Sequence, residues 1–190
     1  MAKVTLSEPI ESISGGYNKK YYMSTHGSKT ILVRRPEKSD KEPTDKQKAQ
    51  QEKFSDGAVY GGLAKNDPER WAWYKSLKDT DNSAFNMALA DFCSSPVVRN
   101  IDTTLYQGHA GDQIRVNAYQ KFRVTDVTVR INASDGTLVE EGQAVSRDKT
   151  GYYLYVAVVE IPDLSGMVIT AVATDTPGHQ AELSKTLLSA

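Results

Sequence analysis

The chain of 190 residues contains a single cysteine, Cys93, and no long run of apolar residues. One cysteine excludes an intramolecular disulfide framework and a zinc site built from several thiolates. A membrane-spanning helix needs about 18 consecutive apolar residues, which this sequence does not have. Glu8 and Pro9 interrupt any apolar core of a secretory signal. We therefore expect synthesis in the cytoplasm, no membrane span and no cofactor, with a final location that includes a virion or an extracellular filament.

The chain also has no large excess of positive or negative charge, since 23 basic and 24 acidic residues give a net charge of −1. The balance is uneven along the chain. Residues 1–53 hold 11 basic and 7 acidic residues, residues 54–96 hold 4 and 6, and residues 97–190 hold 8 and 11. A basic first part and an acidic last part suit head-to-tail contact between copies. The hydrophobic content of 39% is ordinary for a globular protein.

The first half predicts a β-hairpin followed by three short helices. Two apolar runs at 17–23 and 29–35 flank turn residues around Gly27, and a loosely alternating strand precedes them within 3–14. Thr44 and Gln47 form a capping box that starts a helix over about 45–60. Further helices are predicted to begin at Asp67-Pro68 and near Ser83, and the last ends before Pro96.

After Pro96 the apolar period changes from helical to alternating. Short runs separated by turn signals such as Asp135-Gly136 and Pro177-Gly178 are typical of a β-sandwich. We therefore predict an α+β protein, with a hairpin and helical domain over 1–95 and a seven-stranded immunoglobulin-like sandwich over 96–190. The predicted strands are 97–101, 113–119, 124–132, 137–144, 152–161, 168–174 and 181–187.

Two resemblances support this division. The segment Val33-Arg34-Arg35-Pro36 and the Pro-Thr-x-x-Gln stretch within 41–54 resemble a group of uncharacterised bacterial and prophage-encoded proteins, over roughly residues 10–95. The stretches 106–112, 135–142 and 173–178 are similar to bacterial immunoglobulin-like modules. Neither resemblance brings enzymatic residues, and together they imply a structural or adhesive role.

Residues that could carry chemistry are scattered. His26, His109 and His179 each lie beside a glycine in a predicted turn, where metal-binding spacing is absent. Cys93 follows an apolar helix without a recognisable histidine partner, which favours a structural thiol. Five aspartates could approach one another at loop ends and bind calcium, but isolated turn aspartates are the simpler interpretation. They are Asp112, Asp126, Asp135, Asp163 and Asp175. The sequence therefore predicts no catalytic residue and no metal site, and we expect a protein that is not an enzyme.

The N-terminal segment is the favoured candidate for contact between copies. Val4, Leu6 and Ile10 form a strand-like piece that could pair with the open edge of a neighbouring sandwich. The alternative is that residues 3–14 pair with the hairpin of the same chain. Trp73 is a further candidate, because it lies two positions from Trp71 and the two rings cannot face the same core.

These observations lead to three hypotheses. The first is a non-enzymatic structural subunit that forms a homo-oligomer or homopolymer, in a filament or a phage-like particle, through strand exchange between copies. The second is a monomeric immunoglobulin-like module that binds a glycan or a protein. The third is nucleic-acid binding by the basic stretch 19–53, which five acidic residues between 37 and 52 disfavour, and a small-molecule substrate is also disfavoured.

Overall fold

The computed structural model describes residues 2–3, 14–16, 18–26, 29–37, 41–77, 82–147 and 151–187. The chain divides into two compact units, Met1–Ala90 and Asp91–Ala190. The boundary predicted from the sequence, between residues 95 and 96, lies a few residues later. The architecture is mixed α+β, with strands and helices in the first unit and a sandwich-like arrangement of two sheets in the second.

The first unit contains a four-stranded antiparallel sheet with the order β1-β4-β3-β2. Its strands are β1 (Ala2–Lys3), β2 (Gly15–Gly16), β3 (Tyr21–His26) and β4 (Lys29–Arg34). β3 and β4 form a hairpin as predicted, in register from Tyr21 opposite Arg34 to His26 opposite Lys29, but β3 begins later than the predicted strand 17–23 and extends through three residues assigned to the turn. β1 pairs with β4 of the same chain, with Ala2 opposite Leu32 and Lys3 opposite Ile31.

Three helices follow the sheet, and local capping groups determine where they begin. The helices are α1 (Asp45–Leu63), α2 (Pro68–Leu77) and α3 (Ala84–Phe92), with a short 3₁₀ turn over Ala64–Asn66. At the start of α1 the predicted capping box is present, because the Gln47 amide donates to Thr44 Oγ1 and the Thr44 amide donates to Gln47 Oε1. Asp67 and Ser83 accept amide hydrogen bonds at the starts of α2 and α3.

The described part of the first unit buries few apolar side chains. Among its described residues, those that are fully buried are Ala64, Tyr74, Ala84 and Ala88. The apolar face expected on α1 through Phe54 is not buried, since Phe54 is 56% exposed. Gly57 and Gly61 face inward instead, and a Cβ at Gly61 would lie 2.9 Å from Cε2 of Phe85. The helices therefore approach each other through glycine and alanine.

The second unit consists of two four-stranded antiparallel sheets, with the orders β5-β6-β10-β9 and β12-β11-β7-β8. All seven predicted strand positions contain a strand, and the described residues of this unit add an eighth, β9. The chain creates β9 by crossing from one sheet to the other at Ala144, which is buried. The strands are β5 (Val97–Asp102), β6 (Gln113–Tyr119), β7 (Val124–Asn132), β8 (Leu138–Gln143), β9 (Val145–Ser146), β10 (Tyr152–Val156), β11 (Val168–Asp175) and β12 (Gln180–Thr186).

The core of the second unit lies between the two sheets. Alternating residues of β6, β7 and β11 point inward, and Ile114, Val129 and Ile169 are fully buried. The predicted strand 152–161 is too long, because β10 ends at Val156. The amides of Val158 and Val159 donate to the Glu140 carboxylate instead of continuing the ladder.

Candidate interaction face of the sandwich

The outer surface of the β5-β6-β10-β9 sheet concentrates arginine, tyrosine and valine side chains. In β6 the side chains of Ile114, Val116 and Ala118 are buried, so the side chains of Arg115 and Tyr119 point outward. The register places Tyr152 opposite Asn117, and the Arg147 amide donates to the Tyr152 carbonyl. We call this surface the Tyr–Arg face, defined by Arg99, Arg115, Tyr119, Val145, Arg147, Tyr152 and Val156.

One end of the Tyr–Arg face is organised by a bulge in β5. The register of β5 against β6 shifts between Val98 and Asn100, which leaves Arg99 as the extra residue. The Arg99 guanidinium then lies 4.6 Å from the centroid of the Tyr119 ring. This distance is a cation–π contact, and it holds a positive charge over an exposed aromatic ring.

The centre of the face contains a shallow cavity of about 390 Å³. Arg115 and Arg147 line it together with Tyr152 and one carboxylate, Asp102. The Thr104 amide and hydroxyl donate to Asp102 Oδ1 at 3.0 and 2.7 Å. These bonds, aided by the charges of Arg115 and Lys185, lower the pKa of Asp102 below its ordinary value. Asp102 is therefore an ionised acceptor that is already bonded to its own loop.

Apolar side chains complete the face. Tyr119, Tyr152 and Val156 are each about half exposed, and Val145 is 68% exposed. Exposed tyrosine and arginine beside apolar groups are characteristic of protein interfaces, where these residues carry a large share of the binding energy. The arrangement can bind a surface, but it presents no nucleophile with an adjacent base.

A second concavity opens between the two sheets where β6 ends and β7 begins. It measures about 720 Å³, and its lining includes Phe122, Arg123, Gln143 and Tyr153. Gln120 also lines it, but its amide is already committed to the chain itself, donating to Asp91 and accepting from the Phe122 amide. The residues of the crossing from β8 to β9, Gln143 to Ser146, form part of its lining. Its size is that of a small-ligand pocket.

The residues predicted for assembly are placed differently. Val4, Leu6 and Ile10 lie outside the described residues. Just before them, Ala2 and Lys3 pair with β4 of the same chain. Trp73 is half-buried in α2, its ring centroid 4.8 Å from that of Tyr74, and it packs against the small core of the first unit.

The other candidate residues remain apart. Within the ranges that the structure describes, no group of three histidine, cysteine or acidic side chains could hold a metal ion. Asp112, Asp135 and Asp163 accept amide hydrogen bonds from their own turns, as does Asp175, which also lies 3.1 Å from Nδ1 of His179. Helices in the described segments include none that is long and apolar enough to cross a membrane.

The arginines and tyrosines of the Tyr–Arg face were not singled out from the sequence. The available signal was the outward parity of β6, where Arg115, Asn117 and Tyr119 alternate with buried residues. That parity predicts a surface row on one strand. Only the strand order brings this row beside Tyr152 and Arg147.

Comparison with known proteins assigns no family. No family model matches the chain, and no curated protein matches it. Among solved structures, CopC from Methylosinus trichosporium OB3b shares 17% identity, covering 47% of this chain and 87% of CopC, with a TM-score of 0.34. An engineered protein shares 23% identity, covering 50% of this chain and 20% of that protein, with a TM-score of 0.36. At such low TM-scores, these likenesses support neither a family nor a function.

Proposed function

We propose that the chain is a non-enzymatic structural subunit that associates with copies of itself in a filament or a phage-like particle. The observation that carries this proposal is the Tyr–Arg face. Its half-exposed Tyr119 and Tyr152, beside Arg115 and Arg147, have the composition of a protein interface and lie on one β-sheet. A structural subunit needs such a surface and needs no catalytic group.

The strand order supports an immunoglobulin-like sandwich as the scaffold of this surface. In chain order the second unit places its first, second, sixth and fifth strands in one sheet, and its eighth, seventh, third and fourth strands in the other. Immunoglobulin-like domains combine strands A, B, E and D against C, F and G in the same way. The chain crosses between sheets after β8, which corresponds to the crossing that such domains make before strand D.

A second surface in the first unit is consistent with assembly. α1 exposes Val59 and Leu63, which lie four positions apart on one side of the helix and are each more than half accessible to solvent. Large apolar side chains on an exposed helix are a common feature of interaction surfaces. Strand exchange through Val4, Leu6 and Ile10 is a less favoured route, because the neighbouring Ala2 and Lys3 are already paired within the chain.

Sedimentation of the full chain over a wide concentration range, with negative-stain microscopy, tests this proposal. We expect concentration-dependent association that the double variant Tyr119→Ser/Tyr152→Ser weakens at least tenfold. Leu105→Ser, which changes an exposed apolar residue in the loop before β6, is the matched control and should associate like the wild type. A chain that stays monomeric at the highest concentration, without particles, would contradict the proposal.

Deletion of residues 1–10 separates the two modes of contact. If the sandwich surface makes the contact, the truncated chain should associate like the full chain. A loss of association with the sandwich still folded would instead support strand exchange.

The groove of about 720 Å³ favours one alternative, a monomeric immunoglobulin-like module that binds a glycan or a protein. Its aromatic Phe122 and Tyr153 beside polar groups could stack on and hydrogen-bond a saccharide. This alternative predicts saturable binding by a monomer on a glycan array. Gln143→Trp should fill the groove and abolish that binding, whereas Glu160→Trp in an exposed loop should leave it intact.

A further inference from the structure

The sheet opposite the Tyr–Arg face carries a second outer surface of different chemistry. In β7, Val127, Val129 and Ile131 point into the core, so Asp126 and Arg130 point outward. Their neighbours on β8, β11 and β12 share this side, as the register requires. We call this surface the acidic face, defined by Asp126, Arg130, Glu141, Thr170, Glu182 and Ser184.

Carboxylates outnumber cations on the acidic face. Its described charged residues are three acids and one arginine, and Arg130 Nε already donates to Glu141 Oε1 at 2.9 Å. Hydroxyl groups fill the space between the acids, with Thr170 and Ser184 hydrogen-bonded at 2.8 Å. The charged side chains of this surface are therefore predominantly negative.

The Tyr–Arg face has the opposite charge. Its cavity and bulge bring together Arg99, Arg115 and Arg147. The one carboxylate among them, Asp102, already accepts a hydrogen bond from the Thr104 hydroxyl. Two faces of one sandwich are thus complementary in charge. Complementary charge favours approach of the correct surfaces and opposes pairing of like surfaces.

We infer that the partner of the Tyr–Arg face is the acidic face of a second copy of this chain. This inference rests on the proposed function and specifies its contact. Because the two faces lie on opposite sides of one sandwich, the contact is heterologous. Each copy that binds through one face leaves the other free, so the contact repeats and builds an open stack. A contact between two Tyr–Arg faces would place arginines against arginines.

The size of the faces determines the expected strength. Four strands spaced by about 4.8 Å, each about six residues long, give a face of roughly 15 × 20 Å. One contact then buries about 600 Å² in total, well below the 1,200–2,000 Å² of stable complexes. A single contact is therefore weak and depends on charge, so association should decrease several-fold between about 50 and 500 mM salt.

Charge reversal on each face tests the pairing by sedimentation of the full chain. Arg115→Glu/Arg147→Glu makes both faces acidic, and Glu141→Lys/Glu182→Lys makes both basic. Each variant alone should lose association at least tenfold, and an equimolar mixture should recover it, because every contact between one variant and the other joins opposite charges. Lys121→Glu and Glu160→Lys, exposed positions in loops, are the matched controls and should associate like the wild type.

The outcomes separate this inference from the proposed function. Suppose that the wild type associates, that Arg115→Glu/Arg147→Glu loses association and that Glu141→Lys/Glu182→Lys keeps it. The Tyr–Arg face then has another partner, so the inference is wrong while the proposed function stands. If the wild type is monomeric, both are wrong. Retention of such a monomer on a sulfated polysaccharide through Arg115 and Arg147 would assign the face to a foreign polyanion. The single variant Glu182→Lys keeps the test valid should the double variant misfold.

Discussion

Glu140 is a buried carboxylate that organises the end of β10. Its Oε1 accepts from the Tyr155 hydroxyl and the Val158 amide, both at 2.6 Å, and its Oε2 accepts from the Val159 amide at 3.2 Å. A buried charge is costly unless hydrogen bonds replace its water. Three donors meet this need and tie the segment after β10 to β8. Sequence periodicity could not reveal this contact, because Glu140 lies 15 residues from Tyr155.

Three tyrosines of the second unit, Tyr106, Tyr153 and Tyr155, lead us to predict a loss of stability at alkaline pH. Burial, reinforced by the bond to Glu140 and its charge, raises the pKa of Tyr155 above its ordinary value of 10.0. Burial also raises the pKa of Tyr106 and Tyr153. Above about pH 10 the unfolded chain releases these protons and the folded chain keeps them, so the free energy of unfolding should decrease with rising pH.

Urea denaturation between pH 8 and 11 measures this effect. The decrease in Tyr155→Phe should be shallower than in the wild type, and Tyr152→Phe is the control that removes a hydroxyl from an exposed position in the same strand. An equally steep decrease in Tyr155→Phe would contradict the assignment.

Gly142 is required because Tyr155 occupies the space of its missing side chain. A Cβ at Gly142 would lie 2.8 Å from Cε2 and 3.1 Å from the hydroxyl of Tyr155, which Glu140 holds in place. Gly142→Ala should therefore lower the free energy of unfolding by about 1–3 kcal/mol. Equilibrium denaturation measures this cost. In a Tyr155→Leu background the same substitution should cost much less, and an unchanged cost would show that the clash is not its cause.

At the level of elements, Gln120 holds the turn from β6 to β7 to Asp91 and Ser94, which are among the first residues of the second unit. Its Nε2 donates to Asp91 Oδ1 at 2.7 Å and to the Ser94 carbonyl at 3.1 Å, while its Oε1 accepts from the amides of Phe122 and Arg123. Asp91 and Gln120 are both buried. One side chain thus connects the start of the second unit to a turn about 29 positions away.

Gln120→Ala should lower the free energy of unfolding by about 2–3 kcal/mol, because it leaves buried donors and acceptors without partners. Gln143→Ala removes an exposed glutamine and should change stability by less than about 0.5 kcal/mol. Thermal and urea denaturation of both variants provide the measurement. Equal stability of the two would exclude a structural role for the Gln120 bonds.

At the scale of the whole molecule, the two units differ in what they bury. The second unit contains a continuous core that includes Ile114, Val129 and Ile169, whereas the described part of the first unit buries only a few small side chains and Tyr74. Stability of a domain depends on the apolar area that it removes from water. The described part of the first unit therefore has little apolar packing to stabilise it by itself.

The fragment 82–190 should unfold cooperatively, with a near-ultraviolet circular dichroism signal from its packed tyrosines, because it retains the sandwich core. The fragment 1–90, which is the whole first unit with its small core, should show no cooperative transition under the same conditions. Its helical signal should be weak, apart from the capped α1. A cooperative transition of the short fragment would mean that its small core is sufficient.

Patterns formed by residues close together in the sequence were enough to predict where the helices begin and where seven strands of the second unit lie. A capping box acts over three residues, and alternation in β7 reflects which side of one strand meets the core. The length of β10 and the inward face of α1 were not predicted. Glu140 binds the amide of Val158 after β10, and Phe85 packs against Gly61 of α1, and both residues lie far from these positions in the sequence. Long-range contacts of this kind leave no local signal.

The same distinction applies to the candidate site. The sequence shows that Arg115 and Tyr119 alternate with apolar residues and that acidic residues predominate after residue 96. Only the pairing of β6 with β5 and β10, and of β7 with β8 and β11, separates the charges onto two opposite faces. Net charge adds up along a chain regardless of position, whereas complementarity depends on which strands are neighbours, and tertiary packing determines that.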